Sequence, residues 1–276
     1  MISIVILTLN EEADLPKCLE SIRSFDDIHV LDSGSNDQTQ KIAREAGALV
    51  TKNPFKTFGQ QRNWALQNLP LKYNWILFLD ADEIATEPFI EDLQKSIESA
   101  EQATAGYYCT WRLMLDEKWL RRSDAFPKWQ FRVLHKDRGE FTDFGHGQKE
   151  GKVDGKIEYI QTPYDHYAFS KGWHYWFDRH NRYSIQEAKG RLKVRGNWKK
   201  IFSKNTSVRN QNIKSLLGTS WLFPIARFCA PYFLKFGFVE GRAGFIYCFN
   251  IAIYEYLVVL KAKELIRNCD RSNKRN

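Results

Sequence analysis

The stretch Trp75–Glu83, WILFLDADE, drives an apolar segment straight into three carboxylates. Ile76, Leu77, Phe78 and Leu79 form the short continuous apolar run of a strand buried on both faces, and such strands belong to parallel sheets covered by helices. Ligands of those sheets bind beyond the carboxyl ends of the strands. Asp80, Asp82 and Glu83 fall at that place. In extended backbone Asp80 and Asp82 point to the same side, where two carboxylates repel unless a cation lies between them or one holds a proton. Oxygen ligation suits Mg2+ or Mn2+, ions that commonly complete their shells with substrate phosphates. The alternative is that the aspartates only cap the turn after the strand, the commoner use of an isolated D-x-D.

On the amino-terminal side, strand and helix patterns alternate strictly. ISIVILTLN, IHVLDS and LVTK read as strands, and LPKCLESIRSF, NDQTQKIAREAGA and FGQQRNWALQNL as helices. The alternation predicts an α/β fold with a mostly parallel sheet and helices on both faces. Thr8, Asn10 and Glu11 then follow the first strand, Asp32, Ser33 and Gly34 the second, and Asp80 and Asp82 the fourth, so three polar clusters meet at one rim. Asp37 reads as the N-cap of the following helix. Further on, GYYCTWRLMLD, KWQFRVLHK and GKIEYIQTP read as strands of a partly antiparallel extension. A long helix begins near Lys171, with Trp173, Trp176, Phe177, His180 and Tyr183 at helical spacing. That stripe is either core or a border of an acceptor site, with Arg179 and Arg182 able to meet phosphates.

The chain has 276 residues, enough for one large domain or a domain with an extension. Its five cysteines show no zinc or disulfide spacing and are expected to be reduced thiols of a cytosolic protein. MISIVILTLNEE has neither the basic start nor the cleavage site of a secretory signal and reads as a strand. No internal repeat is present. Residues 1–170 carry 20 Lys and Arg against 27 Asp and Glu, net −7, whereas residues 171–276 carry 21 against 6, net +15. The basic, aromatic back half therefore suits anionic partners: a phospholipid surface, nucleic acid or phosphorylated substrates.

Taken together, VILTLNEEADLPKCLESI, HVLDSGSNDQT, GQQRNWAL and WILFLDADE resemble the family 2 glycosyltransferases, enzymes of GT-A fold, over about the first 90 residues. PFKTFGQQRNWAL and HYAFSKGWHYWFDRHNRYS are similar to the branch that contains lipopolysaccharide-core and lipooligosaccharide glucosyltransferases. The resemblance implies a Rossmann-like catalytic domain over 1–170 and a helical extension over 171–276. It implies a nucleotide-diphosphate sugar donor, UDP-linked first of all, and inverting transfer to a hydroxyl of an envelope glycan or glycolipid. Leu9, Asn10, Glu11 and Asp32 are placed around base and ribose, Arg62, Asp80 and Ala81 near the donor, and Asp82 at the Mg2+ or Mn2+ ion. His166 matches a histidine that many such enzymes direct to the metal or diphosphate. A hydrogen-bonded structural role among aromatics is its alternative.

An inverting transfer needs a carboxylate to deprotonate the acceptor hydroxyl. FTDFGHGQKEGK offers Asp143 and Glu150, with His146 between them, and departs from the branch's His-Glu pair. Glu150 is preferred over Asp143, and both remain open as solvated loop acids. From Trp221 onward, aromatics, Leu and Ile alternate with isolated Lys and Arg, and no segment reaches the roughly 20 uninterrupted apolar residues of a spanning helix. Such helices either lie in a membrane interface, giving peripheral attachment to the cytoplasmic face of the inner membrane, or pack on the catalytic domain or a second subunit of a homo-oligomer. Two rival functions are a nucleotidyltransferase, which usually opens with a Gly-rich basic loop absent from TLNEEADLP, and a nucleic-acid-binding protein. The latter leaves the acidic rim unexplained, so nucleic acid is not an expected partner.

Overall fold

The computed structural model describes residues 1–144, 147–193 and 196–273, so His146 lies outside the described residues. The chain forms two compact units, Met1–Trp119 with Phe126–Ser170, and Leu120–Ala125 with Lys171–Asn276.

The first unit opens with β1 (Ser3–Thr8), α1 (Leu15–Ser21), β2 (Ile28–Asp32), α2 (Thr39–Glu45), β3 (Leu49–Lys52), α3 (Phe58–Asn68) and β4 (Trp75–Asp80). It continues with β5 (Glu83–Ile84), α4 (Glu87–Glu98), β6 (Thr104–Leu115), β7 (Lys118–Trp119), β8 (Gln130–His135), β9 (Gly139–Phe144), β10 (Gly147–Val153) and β11 (Lys156–His166). The main sheet has the order β3-β2-β1-β4-β8-β6-β11-β5, with β7 paired to β6. β3, β2, β1 and β4 are parallel, and β8 enters antiparallel between β4 and β6. Every residue of β1 is buried, as are Ile76, Leu77, Phe78 and Leu79 of β4, because helices cover both faces. One core joins Ile4, Ile6, Leu77 and Leu79 to Leu15, Phe89 and Leu93, and the other joins Val5, Ile76 and Phe78 to Ala65, Phe131 and Phe141.

The alternation of the first 80 residues thus gives the parallel half of the sheet. The polar segment around FTDFGHGQKEGK, expected as a loop, contributes the antiparallel pair β9–β10 instead. Its register sets Glu150 opposite Phe141, so an apolar anchor and a charged residue share one face.

The second unit contains α5 (Gly172–Lys193), α6 (Thr206–Leu217), α7 (Leu222–Cys229) and α8 (Gly241–Asn273). α5 packs on α8 through Ala188, Val258 and Ala262. Beside this contact Arg191 donates to Glu255 at 2.6 Å, to Glu187 at 3.1 Å and to the Gly218 carbonyl at 3.0 Å. Trp176 of the aromatic stripe is buried and stacks on His180 with ring centroids 3.7 Å apart. Leu120–Ala125 is held here by Glu240, which accepts from the backbone of Arg122 (2.5 Å) and Ser123 (3.1 Å). One expectation is corrected: the helix Gly237–Cys269 is long and apolar enough to cross a membrane by length and composition, with a mean hydropathy of 1.7 over its best 18 residues. The charges that seemed to interrupt it cluster at its start, leaving Glu255 alone within residues 243–260.

Gly106 of β6 lies under the Phe131 ring of β8, where an added Cβ would sit 2.5 Å from Phe131 Cε2 and 2.6 Å from the Val133 carbonyl oxygen. Gly106→Ala is expected to destabilise the protein by about 1–3 kcal/mol through overpacking in urea unfolding. Unchanged stability would mean that β6 and β8 are not held this closely.

Candidate active site

At the rim above β1 and β2 the two loops are laced together by side chains. Asn10, in left-handed backbone at φ 56°, receives Asn36 N–H on its Oδ1 at 3.0 Å and donates its own N–H to Ser35 Oγ at 2.9 Å. The Glu11 N–H donates to Thr39 Oγ1 at 2.7 Å, and Glu12 accepts from Gln38 N at 2.9 Å. Asp37 accepts from the Thr39 and Glu12 amides, at 2.9 and 3.3 Å, so it organises the start of α2. Burial opposes its charge, but these hydrogen bonds hold its carboxyl below the usual range. Leu9 is exposed beside them.

Asp32 is fully buried. Its Oδ1 accepts from Gly34 N (3.1 Å), Ser35 N (2.9 Å) and Gln40 Nε2 (2.8 Å), while Thr8 Oγ1 (3.0 Å) and the Ser35 hydroxyl reach Oδ2. Five donors saturate a carboxylate. The residue expected to face base or ribose is therefore turned inward, where it shapes the Ser33–Ser35 loop at Gly34 (φ +104°).

β4 delivers its carboxylates to different partners. Asp80, a third exposed, is gripped by Arg62 Nη2 at 3.0 Å and Arg132 Nη2 at 2.8 Å. Arg132 also donates to Glu83, which accepts from the Tyr164 hydroxyl at 3.2 Å and, through Oε2, from the Asp80 amide at 2.9 Å. Partial burial alone would raise Asp80, but the two guanidinium groups outweigh it and hold the carboxyl well below the usual range. Glu83 is pushed up by burial, pulled down by Arg132 and pushed up again by Asp80, reaching about 7. Arg62 is buried and lowered to about 10 by desolvation, with Phe58, Phe78 and Phe141 rings 5.7–5.8 Å from its guanidinium carbon. Its expected place beside the donor is thus one layer deeper, beneath Asp80.

Asp82 takes the other direction. The β5–β11 pairing sets His166 opposite Glu83, and His166 Nε2 lies 3.4 Å from Asp82 Oδ2. Burial alone would lower this imidazole, yet Asp82 raises it to about 9. Ala81, between the two aspartates, is buried. An extended D-x-D would aim both carboxylates at one point, but here β4 ends at Asp80 and the chain turns before β5. A carboxylate oxygen beside an imidazole nitrogen is a donor set that fits Mn2+ and, less selectively, Mg2+. Among the described residues no group of three or more His, Cys, Asp and Glu gathers for an ion. An ion at this pair would take the rest of its shell from substrate or water.

The two candidate bases lie on the β9–β10 hairpin. Asp143 accepts from Thr57 Oγ1 at 2.8 Å and Gly59 N at 2.9 Å, so one oxygen takes an amide at the start of α3 and the other the hydroxyl of its N-cap residue. Glu150 is half-buried near the Tyr108 phenol, which burial first and Glu150 second push up. Its cross-strand neighbour Phe141 stacks on Arg62, which puts the hairpin on the Arg62 side of Asp80. Arg132 is the central residue that sequence reasoning missed. A cation inside the apolar strand QFRVLH was the signal, since a buried charge needs a partner.

A family model described as "Glycosyl transferase family 2" matches residues 3–149, more than half of the chain. An uncharacterized glycosyltransferase of Rickettsia bellii is 32% identical over 102 residues, 37% of this chain and 34% of that protein. The lipopolysaccharide core biosynthesis glycosyltransferase LpsC of Rhizobium meliloti is 26% identical over 167 residues, 58% of this chain and 60% of that protein. The match therefore spans about a third of the first relative and three fifths of the second. Among solved structures, glucosyl-3-phosphoglycerate synthase from Mycobacterium tuberculosis, in complex with Mn2+ and UDP-glucose, is similar at 26% identity and a TM-score of 0.36, over 41% of this chain and 44% of that one.

The Arg132 pair gives a pH-dependent prediction. Asp80 has a depressed carboxyl, so its stabilising contribution is complete above the unfolded value of about 3.9 and is lost as pH falls through and below it. Arg132→Met leaves one guanidinium for two carboxylates, which is expected to cost about 3–5 kcal/mol at pH 7. One carboxyl should then be raised, so part of the deficit should return at pH 5, where it binds a proton. Urea unfolding at both pH values measures this, and an equal deficit at each would contradict it.

Proposed function

The chain belongs to glycosyl transferase family 2 and has the GT-A fold, and we propose that it transfers a sugar from a nucleotide-diphosphate donor, a UDP-sugar first of all, to a hydroxyl of an envelope glycan or glycolipid. The observation that carries the reading is the division of labour after β4: Asp80 is pinned between two arginines, while Asp82 adjoins His166. Asp82 and His166 would hold Mg2+ or Mn2+, which supplies positive charge to the diphosphate as it leaves. Ala81 brings backbone close to the donor between them. Asn10 and Glu11, fixed by Ser35 and Thr39, frame the nucleoside with Leu9, and Asp32 acts through the loop it holds rather than by contact.

Glu150 carries the proposal for the base, with inversion at the transferred carbon, because Asp143 is engaged at both oxygens in the α3 cap. A carboxylate there would accept the acceptor's hydroxyl proton as the new glycosidic bond forms and the bond to diphosphate breaks. The similarity to a lipopolysaccharide core biosynthesis glycosyltransferase supports a glycolipid acceptor.

Thermal shift with UDP-, GDP- and dTDP-sugars, with and without Mn2+, tests the donor reading. One sugar nucleotide should stabilise the wild type in a metal-dependent way, and Asp82→Ala should abolish that gain while remaining folded. No stabilisation by any of them would sink it. Glu150→Gln is expected to lower kcat by roughly 10²–10⁴-fold with donor binding intact, whereas Asp143→Ala should mainly cost stability, about 1 kcal/mol for a lost cap. The reverse pattern would move the base to Asp143.

A further inference from the structure

The second unit exposes many large apolar side chains along α7, the turn after it and the first half of α8. α7 and the first half of α8 run antiparallel: Trp221 meets Tyr256 at the open end, ring centroids 5.8 Å apart, and Phe228 meets Phe245 near the turn at 5.9 Å. Between the helices runs a groove of about 400 Å³ lined by apolar residues and Tyr256, with Ile225, Phe228, Phe245 and Phe249 among them. At the turn, Phe233, Leu234, Phe236, Phe238 and Val239 are 47–78% exposed. α5 covers the face of α8 that carries Val258 and Ala262, and leaves Phe245, Phe249, Tyr256 and Leu260 open. So many large side chains in contact with water call for a partner.

Charge decides which partner. Between residues 196 and 263 the only acids are Glu240 and Glu255. Both are buried and engaged, by Ser123 and Arg191 respectively. Lys235 at the turn and Arg242 at the start of α8 are exposed, Lys263 lies 5.0 Å over the Trp221 ring, and Arg227 is 3.3 Å from Glu255. A second copy would bring like charge against like. An anionic bilayer satisfies both features, with apolar burial in the acyl region, Lys and Arg at the phosphates, and Trp and Tyr at the boundary.

The same residues argue against a span. Glu255 and Arg191 form a buried pair halfway along α8, and Lys261 donates to the Asn181 carbonyl at 2.6 Å and Ser184 Oγ at 2.7 Å. Crossing the bilayer would carry α5, with Arg179 and Arg182, into hydrocarbon. We propose that the α7–α8 hairpin is a monotopic membrane anchor whose turn and groove face enter one leaflet of an anionic bilayer, while α5 keeps the opposite side of α8 in protein. The inference stands on this hairpin and not on the reaction assigned above.

Co-sedimentation of the full chain with vesicles of phosphatidylcholine, with and without phosphatidylglycerol, tests it. The wild type should pellet with the anionic vesicles. The triple variant Leu234→Ser, Phe236→Ser, Phe238→Ser should bind them roughly a hundredfold more weakly. It should still melt cooperatively as a folded protein, since none of these side chains is buried. Lys235→Glu with Arg242→Glu should remove the preference for anionic lipid. Wild type that stays in the supernatant with both vesicles, or a triple variant that pellets like wild type, would overturn the proposal. So would a wild-type dimer in light scattering that the triple variant breaks without any vesicle binding, which would assign the surface to a second copy. Donor thermal shifts should be the same in wild type and triple variant, so failure here leaves the donor reading standing.

Discussion

The grip of Arg132 on Asp80 and Glu83 is the constraint on which the rim depends. A single guanidinium from β8 reaches both the last residue of β4 and the first of β5, so the turn carrying Ala81 and Asp82 is fixed at both ends. Arg62 approaches Asp80 from α3, backed by three aromatic rings. Buried ion pairs are weak sources of stability but strong sources of geometry, because breaking one leaves an uncompensated charge. Beyond Asp80 this corner carries Asp82 and His166, 3.4 Å apart, and β11 supplies the second of these through its pairing with β5.

The other half of the rim is held by the same device in neutral form. Asp32 collects five donors and thereby bends the Ser33–Ser35 loop toward Asn10, whose own side chain returns the contact to Asn36. In both places a buried or half-buried aspartate spends its hydrogen bonds on backbone and side chains that position the surface. In the function proposed above, the groups that meet a ligand are their neighbours. This separates residues that shape the site from those that touch a substrate, a distinction that motif spacing does not contain.

Much of this was legible in the sequence. The strand WILFLD and the alternation before it define the parallel half of the sheet, because periodicity and apolar runs report burial directly. The placement of polar clusters at one rim follows from that topology. Less was legible where the signal is three-dimensional. The inward turn of Asp32 depends on partners as far away as Thr8, and the role of Arg132 on a pairing between β4 and β8 some 50 positions apart in the chain. The hairpin β9–β10 hides in a polar, Gly-containing stretch whose alternation is weak. Glu240, Arg242 and Glu255 are not equal interruptions of α8: the first two stand at its start and the third is paired with Arg191, a difference that a linear sequence does not display.

The central claim is that the carboxylates after β4 divide, Asp80 to the arginines and Asp82 with His166 to a divalent ion and the donor diphosphate. The most direct measurement is a Mn2+ titration followed by electron paramagnetic resonance in the presence of UDP, against UDP alone, for the wild type and Asp82→Asn. The account predicts that the wild type sequesters one Mn2+ per chain beyond what UDP binds, and that the folded variant sequesters none. Equal Mn2+ binding by wild type and variant, or none by either, would contradict it.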